Sequence, residues 1–291
     1  LIRAFFALGL GVSLLGLSPW PWWFELFGHA RPTYIGLLLL LLPLVRERVA
    51  LGLWLAALLL NLGLVAPLYF GGARAPGTGK FLLCNVWSSN PDYTRVRELL
   101  EREQADVVVL LEVRPRLLED LKAVLVPYAG QLLLPRPDNF GMALLSRRPL
   151  HNGQVLGGSM PYMVADTEVA GKPLHLVAAH PMPPLDGDYS ARRSAQIVEL
   201  ATHLSGSSGP FVLLGDLNDT PWAPSLGPLR SVAVSARAGF GCQCSWPTML
   251  PFCLRIPIDQ CFVNQGMAVV DCHLGPEVGS DHFPLLVGVS L

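Results

Sequence analysis

Six places in this chain put an acid, amide or imidazole side chain directly after or before an apolar run. They are Asn85, Glu112, His180, Asp216 with Asn218, Asp259, and Asp281 with His282. The stretch Val212-Leu213-Leu214-Gly215 is long enough for a buried strand, and Asp216-Leu217-Asn218 follows it. In an extended chain Asp216 and Asn218 share one face and Leu217 takes the other. A carboxylate without a partner is costly to bury, so such a strand delivers the pair to a sheet edge. A carboxylate beside a carboxamide suits water activation, phosphate binding or metal binding. Taken alone, the stretch reads equally well as a strand followed by an Asx turn. Six apolar runs marked in the same way shift the balance, because ligands gather at one end of such sheets.

The elements that must carry these groups alternate. Strands are expected at 81–86, 106–111, 132–134, 142–146, 162–169, 174–179, 211–215, 256–263 and 283–290. Helices are expected at 115–125 and 192–204, and after Asn90-Pro91, with Asn90 as N-cap and Pro91 in the first turn. Val96, Leu99 and Leu100 lie on one face of that last helix. No internal repeat is found in the residues themselves.

Composition divides the chain. It has 291 residues, 51% hydrophobic and 15% charged, where an ordinary soluble domain is roughly 25% charged. The deficit lies in residues 1–70, whose charged side chains are Arg3, Glu25, Arg31, Arg46, Glu47 and Arg48. Apolar runs at 4–20 and 49–70 are each near the roughly 20 residues that cross a bilayer. The run 34–45 is shorter and crosses by borrowing flanking residues or thinning the bilayer. The expected organisation is therefore a membrane anchor of three transmembrane helices over 1–70, a Gly/Pro linker over 71–80 and a catalytic domain over 81–291. Arg3 precedes the first span, and Arg46 and Arg48 separate the second from the third. The positive-inside rule then puts the N-terminus in the cytoplasm and the domain outside, in a bacterial-type plasma membrane. A cleaved signal peptide ending at Ala73-Arg74-Ala75 is the competing reading, but roughly 70 residues precede it, far more than a signal needs.

Six basic and two acidic residues precede Phe81. Of the chain's 21 basic and 22 acidic residues, 15 and 20 remain, a net of −5 for the domain. A domain of that sign is a poor general binder of duplex nucleic acid.

The ordered set resembles the endonuclease/exonuclease/phosphatase (DNase I-like) superfamily. The residues that carry the likeness are Asn85 in Cys-Asn-Val-Trp, Glu112 in Val-Val-Leu-Leu-Glu-Val, His180 in Ala-Ala-His-Pro, Gly215-Asp216-Leu217-Asn218, Ile258-Asp259 and Ser280-Asp281-His282. Gly141 to Arg147 looks like a scaffold strand of that family. The anchor, Asn85-Val86-Trp87, His180-Pro181-Met182-Pro183-Pro184 and Ser245-Trp246-Pro247-Thr248 look closest to the VanJ-like branch, membrane-anchored proteins linked to lipid pyrophosphates. The resemblance implies an α/β fold, a four-layer sandwich of two packed mixed β-sheets flanked by helices. It implies hydrolysis of a phosphoester with a divalent cation, Mg²⁺ or Mn²⁺, whose hard oxygen ligands suit these residues.

By the same resemblance Glu112 is the metal ligand, with Asn85 beside it and Asp281 near the metal. Asp216 orients or deprotonates the attacking water, and Asn218 holds the water or the phosphate. His180 and His282 donate to phosphate oxygens, and Asp259 pairs with His282. Two departures stand out: Trp87 occupies a position where many members carry an acid, and Gln260 one where many carry His. The first makes a single-metal site the safer expectation.

Anchor and resemblance together make a membrane lipid or lipid-linked phosphate the expected substrate. A nuclease and a sphingomyelinase-type phospholipase are the alternatives on this fold. A non-enzymatic scaffold is disfavoured by the intact residue set. Nothing in the pattern specifies an oligomer. Cys242, Cys244, Cys253, Cys261 and Cys272 crowd together, which predicts a disulfide within 242–272 in an oxidising compartment. Cys84 reads as a buried thiol. His151, His175, His203 and His273 read as surface or structural residues, and Arg192-Arg193 as a solvated helix face rather than a phosphate clamp.

Overall fold

The computed structural model describes residues 2–72 and 76–291; Ala73-Arg74-Ala75 and Leu1 lie outside the described residues. The apolar N-terminal part folds into helices α1 (Ile2–Leu15), α2 (Trp23–His29), α3 (Arg31–Leu41) and α4 (Arg48–Val65). Where the sequence predicts three spans, the described residues contain one straight helix of spanning length, Arg48–Tyr69, 22 residues including a 3-10 turn after α4. Helix α1 has 14 residues, short of the roughly 20 that cross a bilayer. Helices α2 and α3 reach spanning length only together, across a bend of 58°. Arg31, just past the bend, is not a loop charge. It is fully buried and donates to Asn61 Oδ1 at 2.9 Å and to the Gly16 carbonyl at 3.0 Å. These bonds tie α1, α3 and α4 at one end. At the other end Arg3 Nε donates to Glu47 Oε2 at 2.6 Å.

The linker read at 71–80 is shorter than expected, because β1 (Gly79–Asn85) already includes Gly79 and Lys80. It pairs in parallel with β2 (Val107–Leu111), crossing through α5 (Thr94–Glu103). The helix begins four residues after the expected cap. Asn90 instead turns its own loop, accepting from Asp92 N at 3.1 Å, and Asp92 accepts from Thr94 N at 2.9 Å. Helix α6 (Pro115–Leu125) follows, then β3 (Gly130–Leu134) and β4 (Met142–Ser146). Strands β5 (His151–Leu156), β6 (Tyr162–Val169) and β7 (Lys172–Ala179) lead to α7 (Gly187–Ser205), which returns to β8 (Phe211–Asp216) parallel to β7. Next come α8 (Gly227–Val232), β9 (Val234–Ser235), β10 (Asp259–Val263), β11 (Ala268–Leu274) and β12 (Leu285–Ser290).

These strands make two six-stranded mixed sheets, ordered β11-β12-β1-β2-β4-β3 and β5-β6-β7-β8-β10-β9. Period-two alternation assigns the layers. Phe81 and Leu83 of β1 pack between the sheets with Val212 and Leu214 of β8. Leu82 and Cys84 face α5 and α6, where Val96, Leu99, Leu117 and Leu121 meet them. Phe211 and Leu213 face α7 and α8, against Ile197, Leu200 and Leu229. Strands buried on both faces explain the unbroken apolar runs; each buried Val, Leu or Phe contributes about 1.5–3 kcal/mol. The layers are helix, sheet, sheet, helix, as the resemblance implied.

All six cysteines are free, so the expected disulfide within 242–272 is not formed. Cys261 and Cys272 are buried between the sheets. Cys242 and Cys244 sit in a cluster with Val65, Leu68 and Trp222 at the seam with the N-terminal helices.

Candidate active site

The parallel pairs fix the site. Both β1 and β8 end in their polar residue, so Asn85 and Asp216 stand at the same mouth of the sandwich, and Asn85 Nδ2 donates to Asp216 Oδ2 at 3.2 Å. The same amide donates to Glu112 Oε1 at 3.1 Å. Glu112 follows β2 with a left-handed φ of 60°, as does Asn218 after β8 with φ 52°. Non-glycine residues held there carry strain of order 1–3 kcal/mol and need partners to hold them. Glu112 is held by Ser88 N at 2.8 Å. Asn218 is held by its N–H to Asp216 Oδ1 at 3.0 Å and by its side-chain amide to Pro181 O at 2.9 Å. Gly215 is required just before Asp216, since a Cβ there would overlap the Ala179 carbonyl of β7.

His282 is the centre of the charges. Its Nδ1 bonds Asp259 Oδ2 at 2.8 Å, and its Nε2 lies 3.5 Å from Asp216 Oδ2. His180 Nε2 lies 3.7 Å from that same oxygen. All four of these groups are buried. Burial lowers the His282 pKa, but Asp259 and Asp216 outweigh it and raise it to about 10. Burial also dominates at Asp216 and, with Asp259 adding, lifts its carboxyl above the ordinary value against the pull of His282 and His180. At Asp259 burial acts upward too, yet the His282 charge and hydrogen bond hold it below the ordinary value. The imidazole is thus a cation clamped to Asp259, and Asp216 is the more basic carboxylate.

The structure brings together every residue singled out from the sequence. Glu112, His180, Asp216, Asn218, Asp281 and His282 line one cavity of about 660 Å³, with Asn85 and Asp259 directly behind. At Asp281, Trp246 Nε1 donates to Oδ2 at 3.2 Å, and the buried Oδ1 has no partner. Gln260, at the position where many family members carry His, turns away from the cavity and donates to Asp219 O at 3.0 Å. Trp87 donates its N–H to Asn85 Oδ1 at 3.0 Å and brings no acid.

Several site residues were missed. Ser280 Oγ donates to Asn85 O at 2.7 Å and accepts from His282 N at 3.1 Å, tying two corners of the candidate site together. Its Ser-Asp-His context was the only signal. Arg193 is the clearest correction. It is neither solvated nor a phosphate clamp, but fully buried, donating to Asn218 O at 2.9 Å and paired with Glu25 of α2. Arg192 does face solvent, 2.8 Å from Asp188. Leu26 and His29 of α2 line the cavity as well. His175 bonds Asp166 at 2.7 Å and His203 at 2.9 Å, away from the cavity.

A hard divalent cation fits these donors. Glu112 offers a carboxylate in a cavity wall and Asp281 an oxygen that is buried without a partner, while Asn85 turns its NH2 to Glu112 and Asp216 and its Oδ1 to Trp87 N, so it orients the Glu112 carboxylate from behind rather than offering an oxygen. Asp216, Asp259 and His282 also bring ligand atoms within 4.8 Å of one another. That trio is already closed by the His282–Asp259 bond around a protonated imidazole, which leaves the Glu112 side as the better cation site.

Two helix-covered mixed sheets with acids, amides and imidazoles at one mouth define a phosphoester hydrolase of the two-sheet class. The chain belongs to the endonuclease/exonuclease/phosphatase family, whose model matches residues 82–282. Members generally depend on a divalent cation. The fold is shared by an engineered, humanised Danio rerio TDP2 (TM-score 0.63, 17% identity, 73% of this chain and 98% of that one). It is shared too by an endonuclease/exonuclease/phosphatase from Bacteroides vulgatus (TM-score 0.62, 19% identity, 73% and 98%). A D. rerio TDP2 complexed with single-strand DNA product has TM-score 0.61 and 17% identity over 73% and 98%. No curated protein matches the chain.

Proposed function

We propose that this hydrolase is a membrane-anchored, cation-dependent phosphoesterase of VanJ-like type, acting outside the cytoplasm on the phosphate or pyrophosphate of a membrane lipid such as a polyprenyl carrier. The observation that carries the reading is the composition of the cavity. Its floor holds the phosphate-handling groups, while Leu26, Phe140, Pro183, Pro184, Leu185, Trp246, Ile256 and Ile258 form its walls. Leu185 is 71% exposed on one rim. An apolar vestibule over a polar floor suits an amphiphilic ester better than a polyanion.

The helices support the anchor. Arg3 meets Glu47 at one end of the α1–α3–α4 bundle, next to Arg46 and Arg48. The domain sits at the opposite end, where Tyr69 OH reaches Cys242 Sγ and Thr33 Oγ1 donates to Cys253 O. Three crossings in a locally thinned bilayer, with the basic end inside, leave the domain outside. Exposed Trp20 and Trp23 then lie at the domain-side interface, where such rings concentrate.

Glu112 and Asp281 would hold Mg²⁺ or Mn²⁺, with Asn85 orienting the Glu112 carboxylate through its NH2, and the cation would supply charge neutralisation on the phosphoryl oxygens. Asp216, lifted in pKa and flanked by two imidazoles, takes the proton of the attacking water. Asn218, held left-handed at the strand end, aligns that water or a phosphoryl oxygen. His282, protonated and fixed by Asp259, donates to the developing oxyanion, and His180 donates from the other side.

The reading is tested by giving the full chain Mg²⁺ or Mn²⁺ with polyprenyl pyrophosphate, plasmid DNA or sphingomyelin. Phosphate release from the lipid pyrophosphate alone is expected. DNA nicking alone, abolished by Asp216→Ala, overturns the substrate class in favour of a nuclease.

A further inference from the structure

The N-terminal segment does more than end near the domain. Helix α2 lies over the loop that follows β8, and three of its residues meet the site. Leu26 and His29 are part of the cavity wall. Glu25, 1% exposed, pairs with the guanidinium of Arg193, which is fully buried in α7. The other arm of that guanidinium donates to the Asn218 carbonyl at 2.9 Å and lies 3.4 Å from Asp219 Oδ2. His29 Nε2 bonds Asp219 Oδ1 at 3.2 Å. Trp222, in the same loop, donates its indole N–H to the Gly28 carbonyl at 2.6 Å.

This is a buried network of Glu25, Arg193 and Asp219, with half-buried His29 hydrogen-bonded at its outer edge, and its inner end is the backbone of a site residue. Buried ion pairs add little net stability against apolar replacements, but removing one partner leaves an uncompensated charge. Their best-attested use is to fix one geometry. The geometry at stake here is Asn218, which sits in the left-handed region and needs outside contacts to stay there. Without Glu25, Arg193 keeps a single carboxylate partner, Asp219, and its guanidinium is no longer drawn across the Asn218 carbonyl from the α2 side.

We infer that helix α2 is a component of the active site: Glu25 is a positioning residue that holds Asn218 through Arg193, and Leu26 and His29 complete the substrate-binding wall. The domain matched by the family model begins at residue 82, so this part of the site comes from outside it. The inference rests on the phosphoesterase reading of the site, not on the lipid substrate.

The test is a double-mutant cycle in the full chain, purified in detergent, with Mg²⁺ and two generic esters, p-nitrophenyl phosphate and bis(p-nitrophenyl) phosphate. Glu25→Gln is expected to lower kcat about 10- to 30-fold with KM changed less than twofold. In an Asn218→Ala background the same substitution is expected to change kcat less than twofold, because the group it positions is gone. Leu26→Ala is expected to raise KM with kcat unchanged. Melting temperatures are read alongside. Equal losses from Glu25→Gln in both backgrounds mean a merely structural role and overturn the inference, as does a Glu25→Gln chain as active as wild type. A wild-type chain inactive on both esters overturns the phosphoesterase reading itself, and the inference falls with it.

Discussion

The two sheets repeat one topology and divide one job. The orders β11-β12-β1-β2-β4-β3 and β5-β6-β7-β8-β10-β9 match, each with a single parallel pair joined by a helical crossover, except that a turn joins β6 to β7 where β12 and β1 are the last and first strands. No repeat is detectable in the residues. What differs is the chemistry at the shared mouth. The first sheet brings Asn85 and Glu112, a carboxylate with an amide behind it, which on the proposed function hold a cation. The second brings His180, Asp216, Asn218 and Asp259, which on the same proposal handle water and protons. Two contacts join the sheets at the mouth: Asn85 donates to Asp216, and the Asp281-His282 turn, carried by the loop before β12, is clamped to Asp259 of the other sheet. The last rung of the β2–β4 ladder pairs Leu111 with Met142, whereas the last rung of β8–β10 pairs Asp216 with Asp259. The same frame thus ends in an apolar pair on one side and a carboxylate pair on the other. Topology places the residues, and residue type assigns the task.

The comparison can be broken at several points. Asp216→Asn removes the proton acceptor from the second sheet, and kcat is expected to fall about 10³-fold or more in steady-state assays with protein that melts normally. Glu112→Gln strikes the first sheet instead. It is expected to cost about 10²- to 10³-fold, and raising Mg²⁺ should recover part of the loss. An equal loss with no shift in cation dependence would say that the division between the sheets is wrong.

Leu111→Asp places a carboxylate on the apolar rung. With no imidazole beside it, it should destabilise the fold by about 3 kcal/mol in urea unfolding and add no activity. The smallest kinetic effect, about 10-fold, is expected from Asp259→Asn, together with a change in pH profile. In the wild type His282 keeps its proton up to about pH 10, so activity should decline above that pH and also at acid pH, as Asp216 is protonated. Asp259→Asn should move the alkaline limb down. The sign for stability follows: a raised His282 pKa stabilises the fold fully below about 6.5, and the contribution is lost as pH rises through the folded value. The depressed Asp259 acts oppositely, its contribution vanishing as pH falls through its folded value.

Much of this was legible in the chain because doubly buried strands leave a plain mark, an apolar run that stops at a polar residue. Asn85, Glu112, His180, Asp216, Asp259 and His282 were found that way, and so were α6 and the core strands. Strand β5 was not: five of its six residues are exposed and it reads His-Asn-Gly-Gln, an edge strand with no apolar face to announce it. Strand β11 was hidden likewise by Asp271 and His273 on its open side, and its ladder shifts at a bulge between Val269 and Asp271. Helix α7 begins at Gly187, capped by Asp186, five residues before its apolar periodicity shows. The role of Arg193 could not be read at all. Its partner Glu25 is 168 positions away, and a lone acid in an apolar segment gives no hint of what it faces. The left-handed φ of Glu112 is equally silent, since it is held by Ser88 rather than by local preference, whereas at Asn218 the Asx-turn reading did point to it.

Under the proposed function, one site assembled from both sheets cleaves a lipid-borne phosphoester with Asp216 as proton acceptor. Inorganic phosphate release from polyprenyl pyrophosphate in vesicles, measured for the full-length wild type and Asp216→Asn side by side with and without Mg²⁺, tests it most directly. Magnesium-dependent release that the substitution lowers at least 10³-fold is the predicted result. Equal release by both proteins, or release that persists after chelation, would contradict it.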